Sequence, residues 1–421
     1  APFFYDALGR IVAYQHEEQL TRDAYSYTLY DALGRTYQAG ELVTSTILDR
    51  PTALDETDFL NRDITITANP FLLWVKNATT KTSVIESQYN HYNTTSTPPI
   101  TGKNLRNRIA HVMYYENYTP GNHITASYYT YDINGNVNSL VQENKEMPNG
   151  HQFKRIDYEY DLVSGNVNKV AYQEGENDQF YHKYEYDADN RLKVAYTSRN
   201  GIIWEKEAKY FYYPHGPLAR IELGDKQVQA QDYAYTIHGW LKSINSSTGT
   251  TGRDIGNDGV VGNQNEEFAQ DVYGVSLHYY SGDYQAIGST ANSNTIVNTD
   301  HIVANDLYNG NISKMITSLS DVNENKLSVH GNGYTYDVLN RIKASNVWKD
   351  DINKTVSATN TFANATNNGD YRSSYSYDGN GNLTYLNRNG YLSGTTDTIM
   401  DEFEYIYDLS AGYKTDNKLY Q

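Results

Sequence analysis

Along most of this chain, aromatic and aliphatic residues alternate with polar ones at a period of two, in short runs that end in turns rich in Gly, Asn and Asp. In Tyr129-Thr130-Tyr131 the two tyrosines fall on the same face of an extended chain. Asp132-Ile133-Asn134-Gly135-Asn136 then interrupts the alternation, and Val137 with Leu140 resumes it. The pattern predicts a strand, a tight reversal and a returning strand. Asp132 is placed to accept a hydrogen bond from the backbone about two residues on, while Gly135 or Asn136 tolerates the positive φ of the reversal.

The same phrase recurs along the chain. It is found at Tyr5-Asp6, Tyr30-Asp31, Tyr160-Asp161, Tyr186-Asp187, Tyr336-Asp337, Tyr377-Asp378 and Tyr407-Asp408. Two degenerate copies, Tyr210-Phe211-Tyr212-Tyr213 and Tyr233-Ala234-Tyr235, keep the aromatic pair, a turn glycine and the following leucine but lose the aspartate. A role repeated this often at turns is structural, so Tyr131, Asp132, Gly135, Tyr160, Asp161, Tyr186, Asp187, Tyr336, Asp337, Tyr377 and Asp378 are read as the repeat's framework rather than as catalytic carboxylates and their neighbours. One hairpin cannot bury its own apolar face, so each copy must pack on its neighbours in a continuous sheet. The expectation is an all-β protein with very little helix, in which paired tyrosines such as Tyr158 with Tyr160 and Tyr184 with Tyr186 stack on the pairs of adjacent copies.

A single elongated array over 1–421 follows, with irregular copies in 1–128, the densest copies in 129–245, a polar insertion on the surface at 246–270, and further copies in 271–421. Ser83–Tyr89, Arg108–Tyr115 and Arg62–Thr67 are β-rich, and Pro70-Phe71-Leu72-Leu73-Trp74-Val75 reads as a single strand. Residues 52–61 fit either a short helix or a loop. The stretches 94–99 and 350–370 read as loops. Because the pattern opens and stops in mid-phrase, the chain is read as a segment of a larger protein.

Composition changes this picture in three ways. Tyrosine supplies 42 residues against 10 phenylalanines, which suits sheets covered on one face or a wall that meets water, since the ring can be buried while the hydroxyl stays wet or bonded. The net charge of −17 argues against a nucleic-acid partner, which would need a basic stripe. Cysteine is absent, which removes disulfides, thiolate metal sites and cysteine nucleophiles, and no run is long and apolar enough for a membrane helix.

Candidate chemistry is thin. Asp254-Ile255-Gly256-Asn257-Asp258-Gly259 loosely matches a calcium loop, with Asp254, Asp258 and Glu266 as candidate ligands. The third position is Gly256, and Glu266 comes one residue late, so a surface turn is the competing reading. No histidine pair has zinc-protease spacing, and neither a nucleophile elbow nor a phosphate loop occurs. No cofactor and no enzymatic activity are expected.

The tyrosine-aspartate phrases resemble the YD repeats of RHS proteins, shared in looser form by the B and C components of insecticidal toxin complexes and by teneurins. Asn104-Leu105-Arg106-Asn107-Arg108, His215-Gly216-Pro217-Leu218-Ala219-Arg220 and Gly239-Trp240-Leu241-Lys242 look like the subgroup exported by the type 9 secretion route. The resemblance implies a long antiparallel sheet that spirals into the wall of a hollow shell. It implies the chain's own C-terminal cargo or toxin domain and the secretion machinery as partners, and a secreted or bacterial cell-surface location. The family's shell-closing Asp-Pro-x-Gly-Arg signature and a toxin domain are not found before Gln421, so neither autoproteolysis nor effector chemistry is expected of these residues. The runner-up is a cell-surface adhesin whose exposed Tyr and Trp, such as Trp204, Trp240 and Trp348, stack on a surface glycan.

Overall fold

The computed structural model describes residues 3–6, 8–44, 71, 74–75, 78, 80–92, 99–245, 254–284, 302–319, 329–350, 369–390, 399–410 and 413–419. The stretch 52–61 and the run Arg62–Thr67 lie outside them, as do most of the polar loops 94–99 and 350–370. Among the described residues the alternating runs form strands, 23 of them in one antiparallel sheet that does not close on itself.

The chain divides into two compact units, Ala1–Arg191 with Tyr196–Trp204, and Leu192–Ala195 with Glu205–Gln421. In the first unit the strands are Phe3–Tyr5, Ile11–Tyr14, Ala24–Tyr30, Thr36–Val43, Thr80–Tyr89, Ile109–Asn117, Thr125–Tyr131, Val137–Asn144, Phe153–Tyr160, Val167–Tyr172 and Phe180–Tyr186. Each pairs antiparallel with the next in sequence. The strand Leu192–Ser198 is divided between the two units, and the second repeats the meander through Glu205–Tyr212, Leu218–Leu223, Gln229–Tyr235, Leu241–Ile244, Tyr273–His278, Lys314–Leu319, Val329–Tyr336, Ile342–Asp350, Ser373–Tyr377, Leu383–Asn389 and Ile399–Glu404. Tyr407–Ser410 and Tyr413–Leu419 form a separate two-stranded ribbon.

A register shift marks the tyrosine of nearly every hairpin. Tyr131 pairs with Val137 while Thr130 pairs with Ser139, which leaves Asn138 over. The same step occurs at Tyr5, Tyr30, Tyr212, Tyr336 and Tyr377. An extra residue on one strand is a β-bulge, which bends the pair and raises its local twist. Simple alternation gives no hint of it, because the leftover residue sits inside a run that still looks extended.

Packing is distributed over small clusters rather than one core, as expected where each copy touches mainly its neighbours. In the first unit, Phe4, Val12, Tyr25, Tyr27 and Leu42 pack with Phe71, Trp74 and Val75, and a second cluster joins Val84, Met113, Tyr115, Tyr128 and Val141. In the second unit, Ile302, Ile316, Val329 and Trp348 form another. The expected strand at 70–75 is corrected here: Phe71, Trp74 and Val75 are helical. Their i, i+3, i+4 spacing puts all three on one helical face, and that face is buried against Tyr25 and Leu42. A short continuous apolar run carries no period that separates strand from helix. A second short helix, Glu17–Leu20, closes on itself through His16 and Gln19.

Candidate functional site

The repeated turn is built outward from its aspartate. Asp6, Asp31, Asp187 and Asp337 each accept, on Oδ1, backbone N–H groups two and four residues on, and on Oδ2 the guanidinium of the arginine four residues on, at 2.6 to 2.9 Å. Asp378 does the same with Asn380 and Asn382. Asp132 takes Gly135 N–H at 2.7 Å and both nitrogens of Asn136 at 2.9 Å. At Asp161 the partners are Val163 and Ser164. These donors favour the carboxylate. The backbone N–H of Arg191 holds Asp187 below the usual carboxylate range, against partial desolvation and with help from the Arg191 side chain. Ser164, through its N–H and hydroxyl, does so for Asp161. Gly135 supplies a φ of +102°, and Asn190 and Asn340 occupy the matching left-handed position in their copies.

In six of the phrases the tyrosine links its copy to the previous one. Its hydroxyl donates to the backbone carbonyl that begins the preceding return strand: Tyr30 to Ile11 at 3.0 Å, Tyr131 to Ile109 and Tyr160 to Val137 at 2.9 Å, and Tyr186 to Val167, Tyr336 to Ile312 and Tyr407 to Leu383 at 2.8 Å. Tyr212, in a copy without the aspartate, still donates to Leu192 at 2.8 Å. In three of the four clamps that contain arginine the guanidinium also covers a tyrosine of a following copy, with Arg10 4.2 Å from the Tyr30 centroid, Arg35 4.0 Å from Tyr89 and Arg341 4.7 Å from Tyr377.

This corrects the expected ring ladder. Tyr158 and Tyr160 stack on each other within one strand, with centroids 6.3 Å apart, and among the described residues no ring contact joins Tyr160 to Tyr186. Equivalent tyrosines lie two strands apart, on the order of 9 to 10 Å, which is beyond stacking distance. A hydroxyl that reaches one strand back spans the gap. The tyrosine and the aspartate were legible in the sequence; the arginine four residues on was visible too, but its reach to the next copy was not.

Two buried polar clusters lie in the second unit, and the first had no sequence signal. Lys242, only 1% exposed, donates to Asp283 at 2.7 Å and lies 3.0 Å from His278 Nδ1, whose other nitrogen is 2.8 Å from Ser276 Oγ. Burial brings the Lys242 ammonium down to about 8, with Asp283 opposing that shift. Burial, then Lys242 and Lys314, holds His278 well below the usual imidazole range. Ser276 is fully buried, so the group reads as a satisfied network rather than a nucleophile.

The second cluster revises the surface insertion at 246–270. In its described part, Asp254, Asp258 and Phe268 are buried, because Arg220 ion-pairs with Asp232 and Asp258 and lies 4.7 Å from the Phe268 centroid. The fold brings Asp254 and Asp258 together and joins Asp271 to them, whereas Glu266 is exposed and accepts from Gly262 N–H at 2.7 Å. Burial pushes Asp232 up to about 7, opposed by Arg220, and Asp271 up to about 9, with Asp254 adding to the rise.

The tryptophans expected on the surface are packed instead. Trp348 is buried with Ile302, Ile316 and Val329. Trp240 is half-buried against Tyr279 at 4.9 Å and His238 at 5.0 Å, and Trp204 lies against Tyr181 with Lys183 Nζ 5.1 Å from its ring. Tryptophan's area favours contact with its own sheet over exposure. An open groove of about 480 Å³ in the second unit is lined by His330, Tyr334, Tyr371 and Tyr375 among others.

A meander made from one hairpin, bolted copy to copy by tyrosine hydroxyls, defines a repeat-built antiparallel β-sheet protein. Among solved structures it is similar to TcdB2-TccC3 without its hypervariable C-terminal region, with a TM-score of 0.54 at 12% identity over 98% of this chain and 16% of that one. Another TcdB2-TccC3 structure aligns at a TM-score of 0.30 and 11% identity, over 96% of this chain and 19% of that chain. The Tc holotoxin pore of Photorhabdus luminescens aligns at a TM-score of 0.26 and 12% identity, over 96% and 21%. No family model and no curated protein matches the sequence. The chain therefore has a toxin-complex-like fold and spans about a sixth of the length of the chain it resembles in the first comparison.

Proposed function

We propose that this chain is wall: a stretch of an encapsulating β-shell that shields a cargo or effector domain carried C-terminally in the same polypeptide. The observation that supports this best is the likeness to TcdB2-TccC3 along 98% of the chain, together with a turn unit whose residues resemble the YD repeats of RHS proteins. The polar groups described above also favour a structural reading, since the aspartates are consumed by turns and the buried Ser276 and Lys242 by internal partners. In this reading the chain performs no catalysis, needs no cofactor, and leaves the cell by the type 9 route to a secreted or cell-surface location. Its partners are the cargo and, in transit, the secretion machinery.

Limited proteolysis of the natural polypeptide tests the reading. Residues beyond Gln421 should be cut at least about tenfold more slowly when attached to the wall than when produced alone. Equal rates would remove the cargo role. A glycan array on the same protein addresses the adhesin: sugar binding lost on substituting Tyr371 or Tyr375, with no cargo protection, would favour that reading.

A further inference from the structure

Arg220, on the strand Leu218–Leu223, gathers an excess of negative charge. It ion-pairs with Asp232 of the neighbouring strand and, at 2.7 Å, with Asp258 Oδ1, while Glu222 lies 3.5 Å from its Nε. Asp254 and Asp271 add two carboxylates, each offering an oxygen within 4.8 Å of one from Asp258 and of each other. Five carboxylates therefore gather around one guanidinium, three of them paired with it, and among the described residues no second Lys or Arg is ion-paired with any of them.

The cluster also holds oxygens without donors. The Asp258 side chain is wholly enclosed, with 0% of it exposed; Oδ1 is taken by Arg220, and Oδ2 has no hydrogen-bond partner. Asp271 Oδ2 is likewise buried and unpartnered, although its Oδ1 accepts from Gln229 at 3.2 Å. Buried carboxylate oxygens without donors are costly, and a bound cation is one of the few ways to satisfy them. The surrounding loop is already shaped: Asp258 N–H donates to Asp254 Oδ2 and Asn265 Nδ2 to Gly256 O, both at 2.7 Å. A side chain at Gly256 would collide with the Asp232 carboxylate and the Arg220 guanidinium.

We propose that Asp254, Asp258 and Asp271 bind a calcium-type divalent cation, which ties the two ends of the 254–271 segment together where Asp258 meets Arg220 of the strand Leu218–Leu223. All three donors are carboxylate oxygens, which select a hard ion over zinc or copper, and calcium readily completes its shell with carbonyls and water. The site differs from the linear loop pattern, in which Glu266 would be the ligand, and it does not depend on the shell reading.

The test uses the full chain, freed of metal by chelation and titrated with calcium chloride in a calorimeter, with melting followed in parallel. About one equivalent should bind with a rise of a few degrees in Tm. Asp271→Asn should weaken binding at least about tenfold and abolish the Tm rise, whereas Glu266→Gln should leave both unchanged. The proposal is overturned if the wild-type chain binds no calcium at millimolar concentration, in which case a proton shared between carboxylates neutralises the cluster. It is also overturned if Glu266→Gln abolishes binding or Asp271→Asn preserves it. Should Asp271→Asn fail to fold, Asp254→Asn and the wild-type titration decide.

Discussion

In Tyr160 the ring and the hydroxyl act on different neighbours: the ring stacks on Tyr158 in its own strand, and the hydroxyl donates to Val137 in the preceding copy. Tyr160→Phe keeps the first contact and removes the second, so it should cost about 1 kcal/mol in denaturant unfolding, the ordinary worth of one hydrogen bond. Tyr160→Ala should cost clearly more, because packing goes as well. A phenylalanine variant as stable as wild type would show that the hydroxyl link carries nothing. Acid should act at this scale too. His111 is buried with neither ring nitrogen bonded, and burial, followed by His123 and His91, lowers its value to about 4 from an ordinary 6.5. A lowered folded value means that the unfolded chain takes up the proton first, so stability present above about pH 6.5 should fall steadily toward pH 4. The turn carboxylates Asp161 and Asp187, also lowered, should extend the loss below their unfolded value near 3.9. Asp232 and Asp271, with raised values, gain stability over the same fall in pH, so the check is a comparison: a wild-type Tm that falls no more steeply from pH 7 to pH 4 than that of His111→Phe would contradict the His111 assignment.

At the scale of the element, the hairpin depends on backbone conformation more than on any one side chain. Gly135 sits at φ +102°, and a Cβ there would stand 2.7 Å from the Arg108 guanidinium, so Gly135→Val meets both strain and a clash. It should cost on the order of 1 to 3 kcal/mol from strain alone and exceed the effect of Asp132→Ala, whose turn keeps its backbone bond from Asp132 N–H to Asn136 O. Equal melting temperatures for the two variants would misplace the turn. These hairpins were legible because everything that makes them is local: alternation, an aspartate, then a residue suited to positive φ within a few positions. The bulge at Tyr131, the helical face of Phe71, Trp74 and Val75, and the packed segment around Asp258 were not. Each depends on partners far along the chain, such as Leu42 for the helix and Arg220 for Asp258, and a one-dimensional pattern carries no such pairing. The candidate ligands show the same limit: Asp254 and Asp258 lie close in sequence and come together, but the third carboxylate, Asp271, belongs to no recognisable spacing.

For the whole molecule, the repeated brick explains how a chain with a net charge of −17 and few large aliphatics holds a 23-stranded sheet. Most copies bring their own turn clamp or a hydroxyl bond to their predecessor, so stability accumulates copy by copy instead of resting on one core. Several turns leave an aliphatic side chain in solvent, with Ile133 84% and Val338 98% exposed, which is tolerable when the apolar surface lies at tips rather than on the sheet face. The central claim is that such a sheet serves as the wall of an enclosure. Cryo-electron microscopy of the natural polypeptide tests it most directly. The account predicts a continuous curved sheet containing these strands, with density from the C-terminal residues enclosed on its concave side. A sheet with both faces open to solvent and the C-terminal residues outside it would contradict the claim.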